Sequence, residues 1–253
     1  MDFNLRGKTA VVTGGGSGLG AAVCEVFAQE GVNVIVNYIV DEANVFKFVD
    51  YLNEKYGTKC MPLYGDITNA KDIDNIVARA DDLYGRLDIL VNNAGVWPTA
   101  FVKDMSDEEW EKIIRINLTG TFMFSKRVVN YLIGKKSKGK IINIVSQAAF
   151  HGSTSGHAHY AAAKGGVVTF TVSLAREVAR YGINVTAVAP GMMRTPMNKD
   201  ALAEREAEYI ERIPLGRIAD PKEVAYTVAF LASDKADYIT GATIDVTGGM
   251  LMR

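Results

Sequence analysis

Two hydrophobic periods alternate along this chain. Short β-branched and aliphatic runs at 8–13, 33–38, 87–91, 140–145 and 183–188 have the look of strands buried on both faces. Residues 60–65 and 242–246 are weaker runs of the same kind. Between them lie stretches with apolar residues at helical spacing. These are 21–29, 41–56, 69–84, a long one at 106–133, one running from before Tyr160 to about Tyr181, a loop and helical segment at about 192–213, and one after Pro221. Strands alternating with helices in this way predict parallel strands joined by right-handed crossovers. No repeat, low-complexity tract or linker divides the chain. The expectation is one doubly wound α/β domain over residues 1–253, with a parallel sheet of about seven strands and helices on both faces.

Composition removes other classes. With 48% apolar residues in 253, the chain can bury a substantial core. A net charge of −1 with dispersed Lys and Arg argues against capture of nucleic acid or an anionic membrane surface. The two cysteines, Cys24 and Cys60, have neither CxxC nor metal-ligand spacing, so neither disulfide nor metal is expected. The N-terminus lacks a basic segment followed by an apolar one, and no run nears the roughly 18 apolar residues of a membrane span. A cytoplasmic protein is expected.

In a doubly wound sheet, ligands gather outside the carboxyl ends of the strands. Here those ends carry unusual residues: a glycine loop, Gly14 to Gly20, after the first strand; Asp66 after the third; Asn93 after the fourth; Ser146 after the fifth; Pro190-Gly191 after the sixth. A glycine turn between a strand and a helix N-terminus suits a phosphate, because backbone N–H groups and the helix dipole face it. The loop's spacing, Gly-x-x-x-Gly-x-Gly, differs from the commoner GxGxxG. Tyr160 and Lys164 stand four apart in a helical run, so both heads share one face. A cation beside a phenol favours the phenolate, and bringing a phenol from about pH 10 to about 7 needs about 4 kcal/mol of differential stabilisation. Alone, the short pair reads first as a buried tyrosine with its hydroxyl satisfied beside a solvated lysine.

Taken in order, Thr13-Gly14-x-x-x-Gly18-x-Gly20, Asp66-Ile67, Asn92-Asn93-Ala94-Gly95, Asn117, Ser146, Tyr160-x-x-x-Lys164 and Pro190-Gly191 with Thr195 resemble the short-chain dehydrogenase/reductase family over the whole chain. The resemblance is strongest to its bacterial 3-oxoacyl-carrier-protein reductase and sugar-dehydrogenase branch, supported by Tyr238-Ile239-Thr240-Gly241 and Thr247-Gly248-Gly249-Met250. It implies a Rossmann fold and hydride transfer between a nicotinamide and a ketone or secondary alcohol. It also implies roles. Tyr160 moves the proton, with Lys164 lowering its pKa and holding the ribose. Ser146 polarises the substrate oxygen, and Asn117 holds a water. For the cofactor it implies Gly14, Ser17, Gly18, Leu19 and Gly20 at the pyrophosphate and Asn37 and Tyr38 at the adenosine ribose. Asp66 and Ile67 would flank the adenine, Asn93, Ala94 and Gly95 line the site, and Pro190, Gly191, Met193 and Thr195 meet the carboxamide end.

Three departures qualify the resemblance. Thirteen residues separate Ser146 from Tyr160, about one more than in that branch, and the segment holds His151, His157 and His159, each expected in a solvated loop. Ser17 stands where NADPH users often carry Arg. Asn130 and Tyr181 stand where carrier-protein reductases place basic docking residues, with Arg127 and Arg180 nearby. With neither acid nor cation at Asn37, Tyr38 and Ile39, NAD is favoured over NADP. Sugar, polyol or steroid dehydrogenation is the alternative activity, and a non-catalytic dinucleotide-binding regulator is the alternative of another class. The long helices 106–133 and 157–181 lead to the expectation of a homotetramer.

Overall fold

The computed structural model describes residues 3–253 apart from residue 154. Seven parallel strands form a single sheet. They are β1 (Thr9–Val12), β2 (Asn33–Tyr38), β3 (Met61–Tyr64), β4 (Ile89–Asn92), β5 (Gly139–Ile144), β6 (Ile183–Pro190) and β7 (Thr243–Val246). The order β3-β2-β1-β4-β5-β6-β7 reverses its winding between β1 and β4. The expected topology is therefore the observed one, with the switch point beside the glycine loop.

The strand sequences explain the layers. In β1, Ala10 and Val12 point into one core and Val11 into the other. Val34 and Val36 oppose Ile35 in β2 in the same way, and Ile89 and Val91 oppose Leu90 in β4. One face is covered by α1 (Gly18–Gln29), α2 (Glu42–Tyr56) and α9 (Pro221–Ala232). The other is covered by α3 (Ala70–Tyr84), α5 (Gly120–Gly134) and α7 (Ala158–Val178). Strands buried on both sides are mostly apolar, which is why residues 10–12 of β1 and 89–91 of β4 read as continuous apolar runs.

Helix starts follow side-chain chemistry. The Asn69 side chain accepts from Lys71 N–H ahead of α3. Ser106 and Glu109 form a capping box at α4 (Asp107–Ile114), and Asp220 and Glu223 form another at α9 with Pro221 at its first position. The segment expected as one helix over 106–133 is α4, then a π turn at Arg115–Thr119, then α5. Gly120 N–H reaches back to Arg115 O, so one extra residue is accommodated without breaking the rod. The short α6 (Ala148–His151) lies in the segment expected as loop, and α8 (Lys199–Glu211) lies in the segment after β6. Among the described residues no helix is long and apolar enough to cross a membrane.

A polar chain runs through the second core. Asn92 donates to Ser125 Oγ at 2.9 Å and to Asn143 Oδ1 at 2.8 Å. Asn143 donates to Thr171 Oγ1 at 2.9 Å, and Thr171 donates to Val167 O. It joins β4 and β5 to α5 and α7, the helix that carries Tyr160. Replacing Asn143 with Leu removes two buried partners at once, at a cost of about 1–3 kcal/mol. Thermal unfolding of Asn143→Leu should therefore show a midpoint several degrees below the parent; an unchanged midpoint would mean the chain of bonds contributes nothing to stability.

Candidate active site

At the end of β1 the Thr13 hydroxyl accepts from both Asn93 N–H and Ala94 N–H at 2.9 Å. Asn93 in turn donates from its side chain to Thr13 O at 2.9 Å and Gly14 O at 3.2 Å. This knot locks the glycine loop to the end of β4, and it needs backbone contact. A Cβ at Gly14 would lie 3.1 Å from Ala94 Cα, and one at Gly20 would collide with the Gly14 carbonyl. The helix begins at Gly18 rather than Ala21, so Gly18, Leu19 and Gly20 are its first turn. Ser17, the residue before it, is exposed and makes no side-chain cap, and the first turn carries no acidic residue. Uncapped N–H groups at a helix start fit an anion. Leu19 is buried in the core, so only its backbone belongs to the loop.

At the end of β5 and the start of α7 the proposed chemistry converges. Ser146 Oγ accepts Ala148 N–H at 3.1 Å, and its hydroxyl favours the ionised form of the Tyr160 phenol. Lys164 is buried, its Nζ donating to Ile144 O at 2.7 Å and lying 5.8 Å from the Tyr160 ring centroid. Burial pushes Tyr160 up to about 12 against the pull of Ser146, and burial brings Lys164 down to about 8. The Lys164 head is tied to a carbonyl, and desolvation favours the neutral form of both groups. Asn117 sits in the π turn, fully buried. Its Oδ1 accepts Val96 N–H at 3.1 Å and its Nδ2 donates to Val96 O and Ile113 O. The Asn117 side chain clamps the segment that leaves Gly95. A Cβ at Gly95 would stand 2.5 Å from Asn117 Oδ1 and 3.6 Å from Lys164 Nζ, which places these groups together.

The residues at the ends of β2 and β3 are differently engaged. Asn37 is buried and donates to Gly65 O at 2.8 Å and Leu63 O at 3.3 Å, leaving its Oδ1 without a partner. The Tyr38 hydroxyl, buried and raised to about 12 by desolvation and by Glu42, donates to Glu42 Oε1 at 2.7 Å. Both side chains expected at a ribose are thus occupied in stitching β2 to its neighbours. Asp41 adopts a left-handed conformation, and its carboxylate accepts from Asn44. Asp66 Oδ1 accepts Thr68 N–H at 2.7 Å. The Ile67 side chain lies in the core, close enough to Gly120 that a Cβ there would be 2.8 Å from Ile67 Cδ1. Ile67 therefore contributes backbone, not an apolar wall, to any adenine site.

Beyond β6, Pro190 O accepts Gln147 N–H at 3.2 Å and Gly191 N–H reaches Val246 O at 3.0 Å. Thr195 donates to Asn198 Oδ1 at 2.8 Å, and Asn198 donates to Met193 O at 2.6 Å. This turn lies over the glycine loop: a Cβ at Gly18 would be 3.4 Å from Thr195 Cβ. Met193 is half-buried, packed against the first core.

Two of the three histidines depart from expectation. His151 is exposed, but His157 and His159 are buried. His157 stacks on Trp97 with ring centroids 4.2 Å apart and donates from Nδ1 to Pro98 O at 2.9 Å, and burial lowers its pKa. His159 Nδ1 accepts Tyr160 N–H at 2.9 Å. Sequence reasoning quoted Thr13 in the glycine-loop motif without giving it a role, and it missed Asn198 and Trp97 as parts of this edge. The first two are visible only as polar residues at a strand end or turn, and Trp97 as an aromatic just after Asn93-Ala94-Gly95. Among the described residues no group of three His, Cys, Asp or Glu is placed to hold a metal.

The comparisons with known proteins agree with this geometry. A family model described as enoyl-(acyl carrier protein) reductase matches residues 14–251. The chain is 43% identical over 250 residues to 3-oxoacyl-[acyl-carrier-protein] reductase of Vibrio cholerae, covering 99% of this chain and 100% of that one. It is 40% identical over 254 residues to 3beta-hydroxysteroid dehydrogenase 1 of Eggerthella lenta, covering 100% and 97%. Among solved structures it superposes on a short-chain type dehydrogenase/reductase from Mycobacterium marinum with a TM-score of 0.94 at 30% identity, covering 100% of this chain and 98% of that one. With the motifs, the seven-strand topology and these relatives in agreement, the chain belongs to the short-chain dehydrogenase/reductase family.

Proposed function

We propose that the chain is an NAD(P)-dependent oxidoreductase interconverting a ketone and a secondary alcohol, with a 3-oxoacyl thioester as the substrate class. The observation that carries this is the half-buried Tyr160 and the buried Lys164 ammonium one turn apart on α7, with the Ser146 hydroxyl favouring the ionised phenol. The glycine loop fits a dinucleotide: its helix start is uncapped, free of acidic side chains, and too crowded for side chains at Gly14 and Gly20. When bound, the nicotinamide supplies or accepts the hydride. In the reducing direction Tyr160 gives its phenolic proton to the substrate oxygen, and Ser146 donates to the same oxygen as negative charge develops there. The phenolate left behind is stabilised by the Ser146 hydroxyl and by the Lys164 ammonium, whose second and third protons are free of Ile144 O. Asn117 holds the Val96 strand, and with it Gly95, against Lys164.

A second reading, oxidation of a steroid hydroxyl, is supported by the similarity to the Eggerthella enzyme and by the aromatic wall of Trp97 on His157. A non-catalytic regulator is disfavoured, since such a protein has no use for Tyr160 and Lys164. Absorbance of the reduced nicotinamide, followed with a panel of oxoacyl thioesters, sugars, polyols and steroids, tests all three. No turnover on any of them would overturn the enzymatic reading.

Tyr160→Phe removes only the proton-carrying oxygen. It should retain cofactor binding and lose at least about a hundredfold in kcat/KM; activity near that of the parent would overturn the role of the phenol. Lys164 yields a separate expectation for stability. Its folded value of about 8 lies below its usual 10.5, so between these the unfolded chain binds more protons and stability rises with pH. Below pH 8 both states are protonated, and the folded protein bears the cost of the buried ammonium, of order 3 kcal/mol. Tyr160 acts in the opposite sense only above about pH 10, so the rise belongs to the window from 8 to 10. Thermal midpoints should climb across that window in the parent and not in Lys164→Met, and parallel curves would contradict the assignment.

For the cofactor, the reading is NAD in preference to NADP. The Glu42 carboxylate, held on the Tyr38 hydroxyl, puts negative charge at the end of β2, where a 2′-phosphate would need a cation. Kcat/KM at fixed ionic strength should favour NAD, and Ile39→Arg, at an exposed position beside Tyr38, should move the preference toward NADP. A parent preference for NADP above about tenfold would overturn it.

A further inference from the structure

Gln147 directly follows Ser146, yet neither the fold nor the chemistry above uses its side chain. The residue is 8% exposed. Its backbone N–H is fixed on Pro190 O, at the carboxyl end of β6. Its Nε2 donates to Met250 Sδ at 3.1 Å, a thioether and hence a weak acceptor. Its Oε1 is buried with no partner among the described residues. A buried amide in this condition bears the desolvation cost of both ends with little return.

What covers the amide is also informative. Met250 packs with Leu202, Ile213 and Ile218, the apolar cluster formed by α8 and the segment that follows it. The amide thus reaches the segment that follows β6 from the residue directly after Ser146. His159 also has an unpartnered ring nitrogen, but its other nitrogen already holds Tyr160 N–H, which explains its burial as support for the helix start. No such explanation exists for Gln147.

We propose that Gln147 determines substrate specificity: its amide exchanges the Met250 sulfur for a second oxygen function of the substrate, within two carbons of the carbonyl addressed by Ser146 and Tyr160. The inference rests on the ketone–alcohol reading above. Consecutive Cα atoms are about 3.8 Å apart, so neighbouring residues suit neighbouring oxygens on a short carbon skeleton. A primary amide offers both a donor and an acceptor, so an acyl carbonyl would take Nε2 and a hydroxyl would take Oε1.

The experiment compares three ketones of similar size, ethyl acetoacetate, 1-hydroxypentan-2-one and pentan-2-one, in the parent and in Gln147→Met. The ratio of kcat/KM for an oxygenated ketone to that for pentan-2-one should fall about tenfold in the variant, the loss of one neutral hydrogen bond in a dry site. A fall with ethyl acetoacetate alone assigns the acyl carbonyl, and a fall with the hydroxyketone alone assigns the hydroxyl. Ratios unchanged in Gln147→Met, and in Gln147→Leu should the first variant not melt cooperatively, overturn the inference while leaving the ketone–alcohol reading intact. A parent that reduces none of the three with either cofactor overturns both. Met250→Leu removes the sulfur and keeps the amide, so its ratios should stay within about twofold of the parent; a shift equal to that of Gln147→Met would mean that the contact only shapes the segment above it, and the inference would fall.

Discussion

Parallel strands must all finish at the same edge, and there each strand leaves the sheet with backbone groups that the ladder no longer pairs. Most of the polar side chains along this edge answer that requirement. Thr13 takes the N–H groups of Asn93 and Ala94, Asn93 takes two carbonyl oxygens of the first loop, and Asn37 bridges to the loop after β3. Asn117 does the same for the strand leaving Gly95, and Asn198 for the turn after β6. The site is built on this scaffold of satisfied backbone. Loops tied in this way hold still, and a rigid edge is what a hydride transfer needs on both sides of the reacting bond.

Tyr160 and Lys164 are desolvated at this edge, and that desolvation sets their electrostatics. Burial acts on Tyr160 and Lys164 in opposite numerical directions but to one effect, since each is driven toward its uncharged form. The charged pair, phenolate with ammonium, is therefore the less stable arrangement in the protein alone, and the Ser146 hydroxyl pulls against burial toward the phenolate. A site poised in this way holds its proton on the phenol at neutral pH, where a ketone can receive it. It also makes the lysine, rather than the tyrosine, the group whose ionisation couples to stability near physiological pH.

Close approach is the remaining constraint. Gly14, Gly20 and Gly95 are places where backbone or a buried amide stands where a side chain would go, and the glycine loop that holds the first two meets the segment of Gly95 only in the folded chain. The π turn at Asn117 belongs with them. One additional residue in the rod between α4 and α5 turns that side chain toward Val96 without a break in the helix.

The alternation of apolar runs and helical periods was enough to determine the layers, the parallel sheet and the edge at which the site would form, because a strand buried on both faces has no other way to be written. The spacing of Tyr160 and Lys164 on one helix face, and the caps at Asn69, Ser106 and Asp220, are likewise local properties that a linear chain carries openly. The tertiary structure decided which polar groups are free and which are occupied. Asn37, Tyr38 and Ile67 stand at the positions expected of them, yet their side chains are claimed by the loop after β3, by Glu42 and by the core. His157 and His159 sit in a segment that looks solvated in sequence, and packing against Trp97 and the start of α7 buries them. Burial and hydrogen-bond partners come from residues tens of positions away. The ionisation of Tyr160 and Lys164 and the unpaired amide of Gln147 follow from those distant neighbours, and no local pattern carries them.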